Sequence, residues 1–163
     1  SEKEDIPAIR HAYILQNILL IHAAHIGFVL PVGGNLLVSG AYVGSDMDNS
    51  QGNRDFIQNI LKTGMEILEK DGDKIAVQGL GRTFTLPRLP NEQDYPVTSP
   101  DCILPMSPAF PVMTYATGNA SAAVAYQGSD YRTFIMGFPF ESIREETSRN
   151  AIMASILRFL TTD

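Results

Sequence analysis

The chain has 163 residues, of which 44% are hydrophobic, enough to bury one sizeable core, and we expect a single domain over residues 1–163. The formal net charge of −6 and the scattered arginines argue against a nucleic-acid-binding surface. The single cysteine, Cys102, excludes an intrachain disulfide bond, and no cysteine–histidine cluster has the spacing of a zinc site. We therefore expect neither a metal nor a cofactor.

The N-terminal part of the chain has the apolar spacing of a helix. We predict a helix over residues 7–29 from the recurrence of Ile9, Tyr13, Ile14, Asn17, Ile18 and Ile21. It is apolar on most sides, which favours packing against a sheet. The most hydrophobic segment, residues 18–31, is too short to cross a bilayer and contains two histidines, so we expect no membrane span.

Residues 33–46, GGNLLVSGAYVGSD, form the stretch around which we expect the fold to be organised. The run at 36–38 has the length and composition of a buried parallel strand. It is followed by GAYVG at 40–44, whose glycines permit a sharp strand-to-helix turn with Tyr42 at its apex. Nucleophile elbows carry serine or cysteine at that apex, and tyrosine is a poor acyl nucleophile. This pattern indicates an enzyme-like scaffold whose own chemistry has been lost or replaced.

The rest of the chain alternates between helical and strand patterns. A second helix is predicted over residues 56–68, and a proline-rich apolar connection over 102–111. Strands are predicted at 74–77, near Phe84, and at 112–116, 122–126 and 131–137, with a hairpin turn at 127–130. Ser142 and Glu145 fit a capping box before a final helix. The apolar stripe of that helix consists of Ile152, Met153, Ile156, Leu157 and Leu160.

Two of these motifs carry a resemblance to a known superfamily. Residues 33–44 resemble the G-G-x-L-L-x-S-G strand and elbow of class I glutamine amidotransferase-like domains, and FPFES at 138–142 resembles that superfamily's F-H-P-E-S. LLVSGAYVGSD, GFPFESI and a terminal amphipathic helix together resemble such domains in large secreted xanthan lyase-like proteins. The similarity runs from about Phe28 to the C-terminus.

The resemblance implies a fold, a context and a location. The fold is an α/β flavodoxin-like, class I amidotransferase-like three-layer sandwich with a mostly parallel sheet and a C-terminal hairpin. The context is one domain of a larger protein, and the location is secreted, periplasmic or cell-surface. Members usually place βα units before the elbow, whereas this sequence offers only a helix there. We therefore expect an open edge on the elbow strand, through which the chain pairs with itself or with a missing segment.

Departures from the superfamily pattern argue against its reaction. Under the resemblance, Tyr42 stands at the cysteine position, Pro139 at the histidine position and Glu141 at the glutamate position. Only the carboxylate that orients the histidine remains, so we expect no glutaminase activity. Cys102 has no cationic neighbour in the sequence that would activate it, and we interpret it as a small buried hydrophobe.

Any ligand is expected above Tyr42, between residues 40–46 and 138–141, because open α/β sheets bind ligands at the carboxyl ends of their strands. The candidate contacts are Gly40, Tyr42, Ser45, Asp46, Phe138 and Glu141. Simpler alternatives stay open. Ser45 and Asp46 are also typical of a helix cap or a solvated loop, and Glu141 of a helix N-terminus. For Tyr42, the alternative is that its side chain fills the former active site and its hydroxyl bonds to Glu141.

Two functions follow from these residues. The first is a noncatalytic amidotransferase-like module of a secreted, carbohydrate-associated protein, which binds a carbohydrate, other domains of its parent protein or a second copy. The second is a polysaccharide-active, xanthan lyase-like enzyme in which Tyr42 with Asp46 or Glu141 supplies the acid and base. Lyase chemistry also needs a positive charge to stabilise the enolate. No such charge is visible at the elbow, so the sequence favours the module.

Overall fold

The computed structural model describes residues 12–15, 18–22, 34–41, 51–67, 74–88, 96–116 and 120–162. The strands in this part are β1 Ala12–Leu15, β2 Ile18–His22, β3 Gly34–Ser39, β4 Thr63–Ile67, β5 Lys74–Gly79, β6 Arg82–Pro87, β7 Asp101–Pro105, β8 Phe110–Tyr115, β9 Ser121–Gln127 and β10 Tyr131–Met136. The helices are α1 Gln51–Phe56, a π-helix Ile57–Leu61, a 3-10 helix Phe140–Ser142 and α2 Glu146–Thr161. No helix in these ranges is long and apolar enough to cross a membrane.

Eight of the strands form one curled sheet in the order β1-β2-β3-β10-β9-β8-β5-β6. β3 runs parallel to both of its neighbours, β2 and β10. The other neighbouring pairs in this sheet are antiparallel. β4 and β7 form a separate antiparallel ribbon. The sheet is therefore mixed and mostly antiparallel.

The predicted three-layer, flavodoxin-like sandwich with a mostly parallel sheet is wrong. Parallel neighbours need a long crossover, usually a helix, whereas antiparallel neighbours need only a tight turn. Here β5 and β6 are joined by Leu80 and Gly81, with φ of 51° and 73°. The central strand at 36–38 and the β9–β10 hairpin are confirmed.

The predicted N-terminal helix is wrong where the structure describes it. Residues 12–15 and 18–22 form β1 and β2, which pair antiparallel from Leu15 opposite Ile18. Short runs of isoleucine and leucine fit both structures, and the β-branched isoleucines favour a strand. Because β2 covers the edge of β3, the expected open edge on β3 is also wrong, and β1 and β6 are the outer strands. The remaining residues of the predicted helix lie outside the described ranges.

The second predicted helix is correct only in its first half. The α1 and π-helical turns end at Lys62, which adopts a left-handed conformation with φ of 56° and donates its N–H to the carbonyl of Ile57. β4 then begins at Thr63 and pairs with β7. Most of β7 lies in the segment that was predicted to be a proline-rich apolar connection, residues 102–111. Gly64 and Thr63 are poor helix formers, which favours this early end. Cys102 in β7 is buried, as predicted.

The large sheet buries both of its faces. Side chains alternate along a strand, so Leu36 and Leu37 enter different clusters. One cluster packs under α2 and contains Leu37, Phe134, Met136, Ile152, Ile156 and Leu160. The other packs under the π-helix and β7 and contains Leu36, Val38, Ile57, Leu61, Ile103 and Ile135. Each fully buried aliphatic side chain stabilises the fold by roughly 1.5–3 kcal/mol.

The final helix begins later than the sequence predicts. Ser142 ends the 3-10 helix and is not the N-cap, so the predicted capping box is wrong. α2 begins at Glu146, and the preceding Glu145 accepts a 3.0 Å hydrogen bond from the Ser148 hydroxyl. The predicted stripe is confirmed at Ile152, Ile156 and Leu160, which are fully buried, while Met153 and Leu157 are partly buried.

Tyr115 and Gly137 join the large sheet to the β4–β7 ribbon. The Tyr115 hydroxyl donates a 2.9 Å hydrogen bond to the backbone carbonyl of Asp101, the first residue of β7. Gly137 accepts a 2.8 Å bond from the Asp101 N–H, and a Cβ at Gly137 would collide with the Asp101 carbonyl oxygen. Burial, with smaller contributions from Asp101 and Cys102, raises the pKa of Tyr115 well above its ordinary value of 10.0.

This pKa shift predicts a loss of stability at alkaline pH. Because the pKa of Tyr115 is higher in the folded than in the unfolded chain, its contribution is fully present below pH 10.0 and is lost as the pH rises towards the folded value. We expect Tyr115→Phe to lower the free energy of unfolding at neutral pH by about 1 kcal/mol, through the lost hydrogen bond. Above the ordinary tyrosine pKa, the variant should lose stability with pH less steeply than the wild type. Urea unfolding across this range measures both effects, and equal slopes would contradict the assignment.

Candidate functional site

The carboxyl ends of β3 and β10 lie side by side, because these strands are parallel and Ser39 is opposite Met136. The Gly40 N–H donates a 3.4 Å hydrogen bond to the Met136 carbonyl. The chain leaves this edge through Gly40 in one loop and through Phe138 in the other. The structure thus brings together the described beginnings of the two segments that the sequence suggested as a ligand site, Gly40 of residues 40–46 and Phe138 of residues 138–141. Their contact with a ligand stays a prediction.

Ser39 connects this edge of the sheet to the loop that follows β10. Its side chain is fully buried, and its hydroxyl accepts a 2.7 Å hydrogen bond from the Phe140 N–H. The same hydroxyl donates a 3.2 Å bond to the Phe138 carbonyl. The end of β3 is therefore fastened to the loop that follows β10. Sequence reasoning did not single out Ser39, although a small polar residue at the end of a buried apolar strand is a usable signal.

The other predicted contacts have different surroundings. The Phe138 side chain is fully buried, with its ring centroid 5.9 Å from that of Phe84, so a ligand at this edge would meet only its backbone. Glu141 lies in the 3-10 helix and is exposed. Tyr42, Ser45 and Asp46 lie outside the described residues.

The loop from Pro139 to Ser142 is a tight turn held by its own polar groups. The Ser142 N–H and hydroxyl both donate to the Pro139 carbonyl, at 3.0 and 2.5 Å. The Ile143 N–H donates to the Phe140 carbonyl at 3.1 Å. Within the described ranges, no group of three or more His, Cys, Asp or Glu side chains is placed to hold a metal ion.

A second polar cluster lies at the opposite ends of the same two strands. Asn35 accepts a 2.8 Å hydrogen bond from the Arg132 N–H and donates one to the Leu160 carbonyl. The Arg132 guanidinium donates to the carbonyls of Phe159 and Thr162 at the C-terminus of α2. A cation is stabilising at a helix C-terminus. This cluster, which sequence reasoning missed, holds α2 against the sheet.

A groove of about 460 Å³ lies at the β5–β6 turn, beside β8. Its lining residues are Gln78, Gly79, Gly81, Arg82, Thr83, Pro111, Val112, Met113 and Thr114. The sequence predicted strands near Phe84 and at 112–116 in this region but no functional role. The signal available in the sequence was the pair of glycines at the hairpin turn, Gly79 and Gly81.

The chain matches no known protein-family model and no curated protein sequence. Its fold is similar to part of a β-galactosidase from Bacillus circulans sp. alkalophilus, with a TM-score of 0.51 and 11% sequence identity, over 78% of this chain and 19% of that chain. A catalytic mutant of Gan42B, a GH42 β-galactosidase from G. stearothermophilus, matches with a TM-score of 0.48 and 17% sequence identity. The match covers 78% of this chain and 18% of that chain. This chain thus spans less than a fifth of either neighbour. At this level of identity, the first match shows a shared fold, and the second carries no argument.

The resemblance to amidotransferase-like and xanthan lyase-like domains is wrong. The sheet is mixed and mostly antiparallel, and the fold matches part of a β-galactosidase. The assignment of Tyr42, Pro139 and Glu141 to triad positions rested on that resemblance and falls with it. In the structure, the end of the first motif and the start of the second meet as a backbone closure through Ser39.

We expect Ser39→Ala to destabilise the protein by roughly 1–3 kcal/mol, because the buried Phe138 carbonyl and the Phe140 N–H both lose their partner. The matched control is Ser155→Ala in α2, where the hydroxyl only bonds back to the Ala151 carbonyl at 3.0 Å. Such a bond adds little to helix stability, so the control should stay within about 0.5 kcal/mol of the wild type. Urea unfolding followed by circular dichroism measures both variants. If both variants lost the same free energy of unfolding, the hydrogen bonds of Ser39 would make no specific contribution to stability.

Proposed function

We propose that this chain is a noncatalytic module of a larger carbohydrate-active protein. The fold similarity to about a fifth of a β-galactosidase chain supports the carbohydrate context. Fold alone does not determine function, so the role has to be argued from the residues. A secreted, periplasmic or cell-surface location belongs to the same proposal, since extracellular polysaccharides are met there.

The observation that carries the proposal is the use of polar groups at the β3–β10 edge. Ser39 and Ser142 direct their hydroxyls to backbone atoms of the same loop, at distances between 2.5 and 3.2 Å. A catalytic nucleophile instead needs a hydroxyl bonded to a base and facing a cavity. These hydroxyls therefore hold the 138–142 loop against the end of β3, and we propose a carbohydrate contact beside it, at Gly40, Tyr42 and Glu141.

A binding and turnover experiment tests this function. We expect the purified chain to bind galacto-oligosaccharides in calorimetric titration, and Tyr42→Ala to weaken binding without lowering the melting temperature. Tyr42→Phe, which keeps the ring for stacking, should retain most of the affinity. We expect no release of products from aryl galactosides or from uronate-containing polysaccharides.

Two results would contradict the module. Turnover that disappears in Glu141→Gln or Tyr42→Phe would favour the enzyme alternative. Unchanged binding in Tyr42→Ala would remove the proposed contact.

A specific observation also favours an assembly role. Leu104, Met106 and Phe110 are 40%, 42% and 41% exposed, and they flank one short turn in which the Ala109 N–H bonds to the Met106 carbonyl. We call these three residues the 104–110 patch. The three residues are close in sequence, and Phe110 also packs edge-on against Phe159 of α2, with ring centroids 6.3 Å apart. We propose that the 104–110 patch docks against a neighbouring domain of the parent protein.

In the intact parent protein, we expect the double variant Met106→Ser and Phe110→Ser to loosen the module, so that limited proteolysis releases it several-fold faster. The control is Thr147→Ser with Thr161→Ser on α2, which changes exposed polar positions only. Melting of the isolated chain checks that the patch variant still folds. Equal release rates for the patch variant and the wild type would contradict the docking role.

A further inference from the structure

The groove at the β5–β6 turn, here the β5–β8 groove, contains Gln78, Gly79, Gly81, Arg82, Thr83 and residues 111–114. We propose that it binds an anionic sugar, with Arg82 holding the anionic group and Gln78, Thr83 and Thr114 holding the hydroxyls. The sugar part of this inference rests on the proposed function. The anion part rests on the groove itself.

The backbone explains why a groove forms at this point. β5 pairs with β8 from Val77 opposite Tyr115 to Gly79 opposite Met113, and the pairing stops there. β8 is also irregular in its pairing with β9 on both sides of Met113. Gly79 has φ of 156°, and a Cβ there would collide with the Val112 carbonyl and lie 2.7 Å from the Met113 Cα. A glycine is therefore required where the two backbones approach most closely, and the cavity lies around that point.

Three neutral polar side chains form a row across this part of the sheet. Gln78 is opposite Thr83 on one side and opposite Thr114 on the other. Gln78 and Thr83 are exposed, and Thr114 is half-buried. Directly opposite residues of neighbouring strands lie on the same face of the sheet. The row therefore offers one amide and two hydroxyls, which both donate and accept hydrogen bonds as a polyol requires.

These polar groups are not committed to the fold. No side-chain hydrogen bond or ion pair of Gln78, Arg82 or Thr114 occurs among the described residues. Arg132 differs, since its guanidinium is held by the C-terminal carbonyls of α2. Polar side chains that the fold does not use remain available to a ligand at this open surface groove.

Arg82 sets the charge of the ligand. It is opposite Gly79 and therefore lies on the other face of the hairpin from Gln78 and Thr83, although all three line the groove at the end of the hairpin. Arg82 is exposed, and the other residues lining the β5–β8 groove are uncharged. A guanidinium binds a carboxylate or a phosphate through two parallel hydrogen bonds. The groove volume of about 460 Å³ exceeds that of a simple anion and lies in the range of small-molecule sites. Pro111 is exposed and Val112 is half-buried, and they add apolar surface for the C–H face of a sugar ring.

The test is a titration of the ¹⁵N-labelled chain followed by NMR, with galacturonate, galactose 6-phosphate, galactose, acetate and sulfate as probes. We expect the amide signals of Gly79, Gly81, Arg82 and Thr114 to shift with galacturonate, galactose 6-phosphate or both. The tighter of the two identifies the anionic group as carboxylate or phosphate. Galactose should bind more weakly, because it leaves Arg82 without an anionic partner.

Variants assign the contacts. We expect Arg82→Gln to weaken binding of the anionic sugar at least about tenfold, the usual size of a hydrogen bond to a charged group, and to leave galactose unchanged. Gln78→Ala should weaken both sugars. The matched control is Arg158→Gln, an exposed arginine on α2, which should change neither affinity. Each variant lies at an exposed position, and its melting temperature checks the fold.

Three outcomes would overturn the inference. Equal affinity for acetate, sulfate and the sugars would indicate an adventitious ion only. Absence of shifts at the groove with every probe would remove the site. Binding that is lost in Tyr42→Ala but kept in Arg82→Gln would uphold the proposed function and reject the groove. The reverse pattern would uphold the groove and reject the Tyr42 contact.

Discussion

The structure depends on the burial of β3 between two parallel neighbours. Leu36, Leu37 and Val38 are at most 2% exposed, so this strand is covered on both faces. β2 and β10 satisfy its two edges by hydrogen bonding. A strand buried in this way cannot carry unpaired polar groups without a cost of several kcal/mol. The elements around it, α2 on one face and the π-helix with β7 on the other, are arranged to meet that constraint.

Both ends of β3 are held by side-chain hydrogen bonds. Asn35 connects the amino end to β10 and to the C-terminus of α2. Ser39 connects the carboxyl end to the loop after β10. Their backbone partners belong to β10, to the last turn of α2 and to the loop after β10. These polar residues are structural, and they differ from the exposed, uncommitted side chains of the β5–β8 groove.

The sequence correctly predicted the elements whose hydrophobic pattern or turn residues match their burial and position in the fold. β3 is a short apolar run between glycines, β9 and β10 flank a strong turn, and α2 has one apolar stripe. The sequence failed at β1 and β2, where a run of isoleucine and leucine fits helix and strand equally. It also failed for the fold class, because two short motifs at strand ends do not determine how the intervening strands pair.

For the candidate sites too, the sequence predicted one feature and could not predict another. The proximity of Gly40 and Phe138 followed from a parallel pairing that the motifs implied correctly. The β5–β8 groove could not be predicted, because it depends on the register that sets Gln78 opposite Thr114. That register is fixed by the irregularity of β8 around Met113 and by the missing side chain at Gly79. Neither feature has a periodic signal in the sequence.

β8 connects the two surfaces for which we propose partners. Phe110, at its beginning, belongs to the 104–110 patch, and Pro111 to Thr114, directly after it, line the β5–β8 groove. The pairing of this part of β8 with β9 is irregular on both sides of Met113. Under both proposals, a docked domain and a bound sugar contact consecutive residues of this one strand.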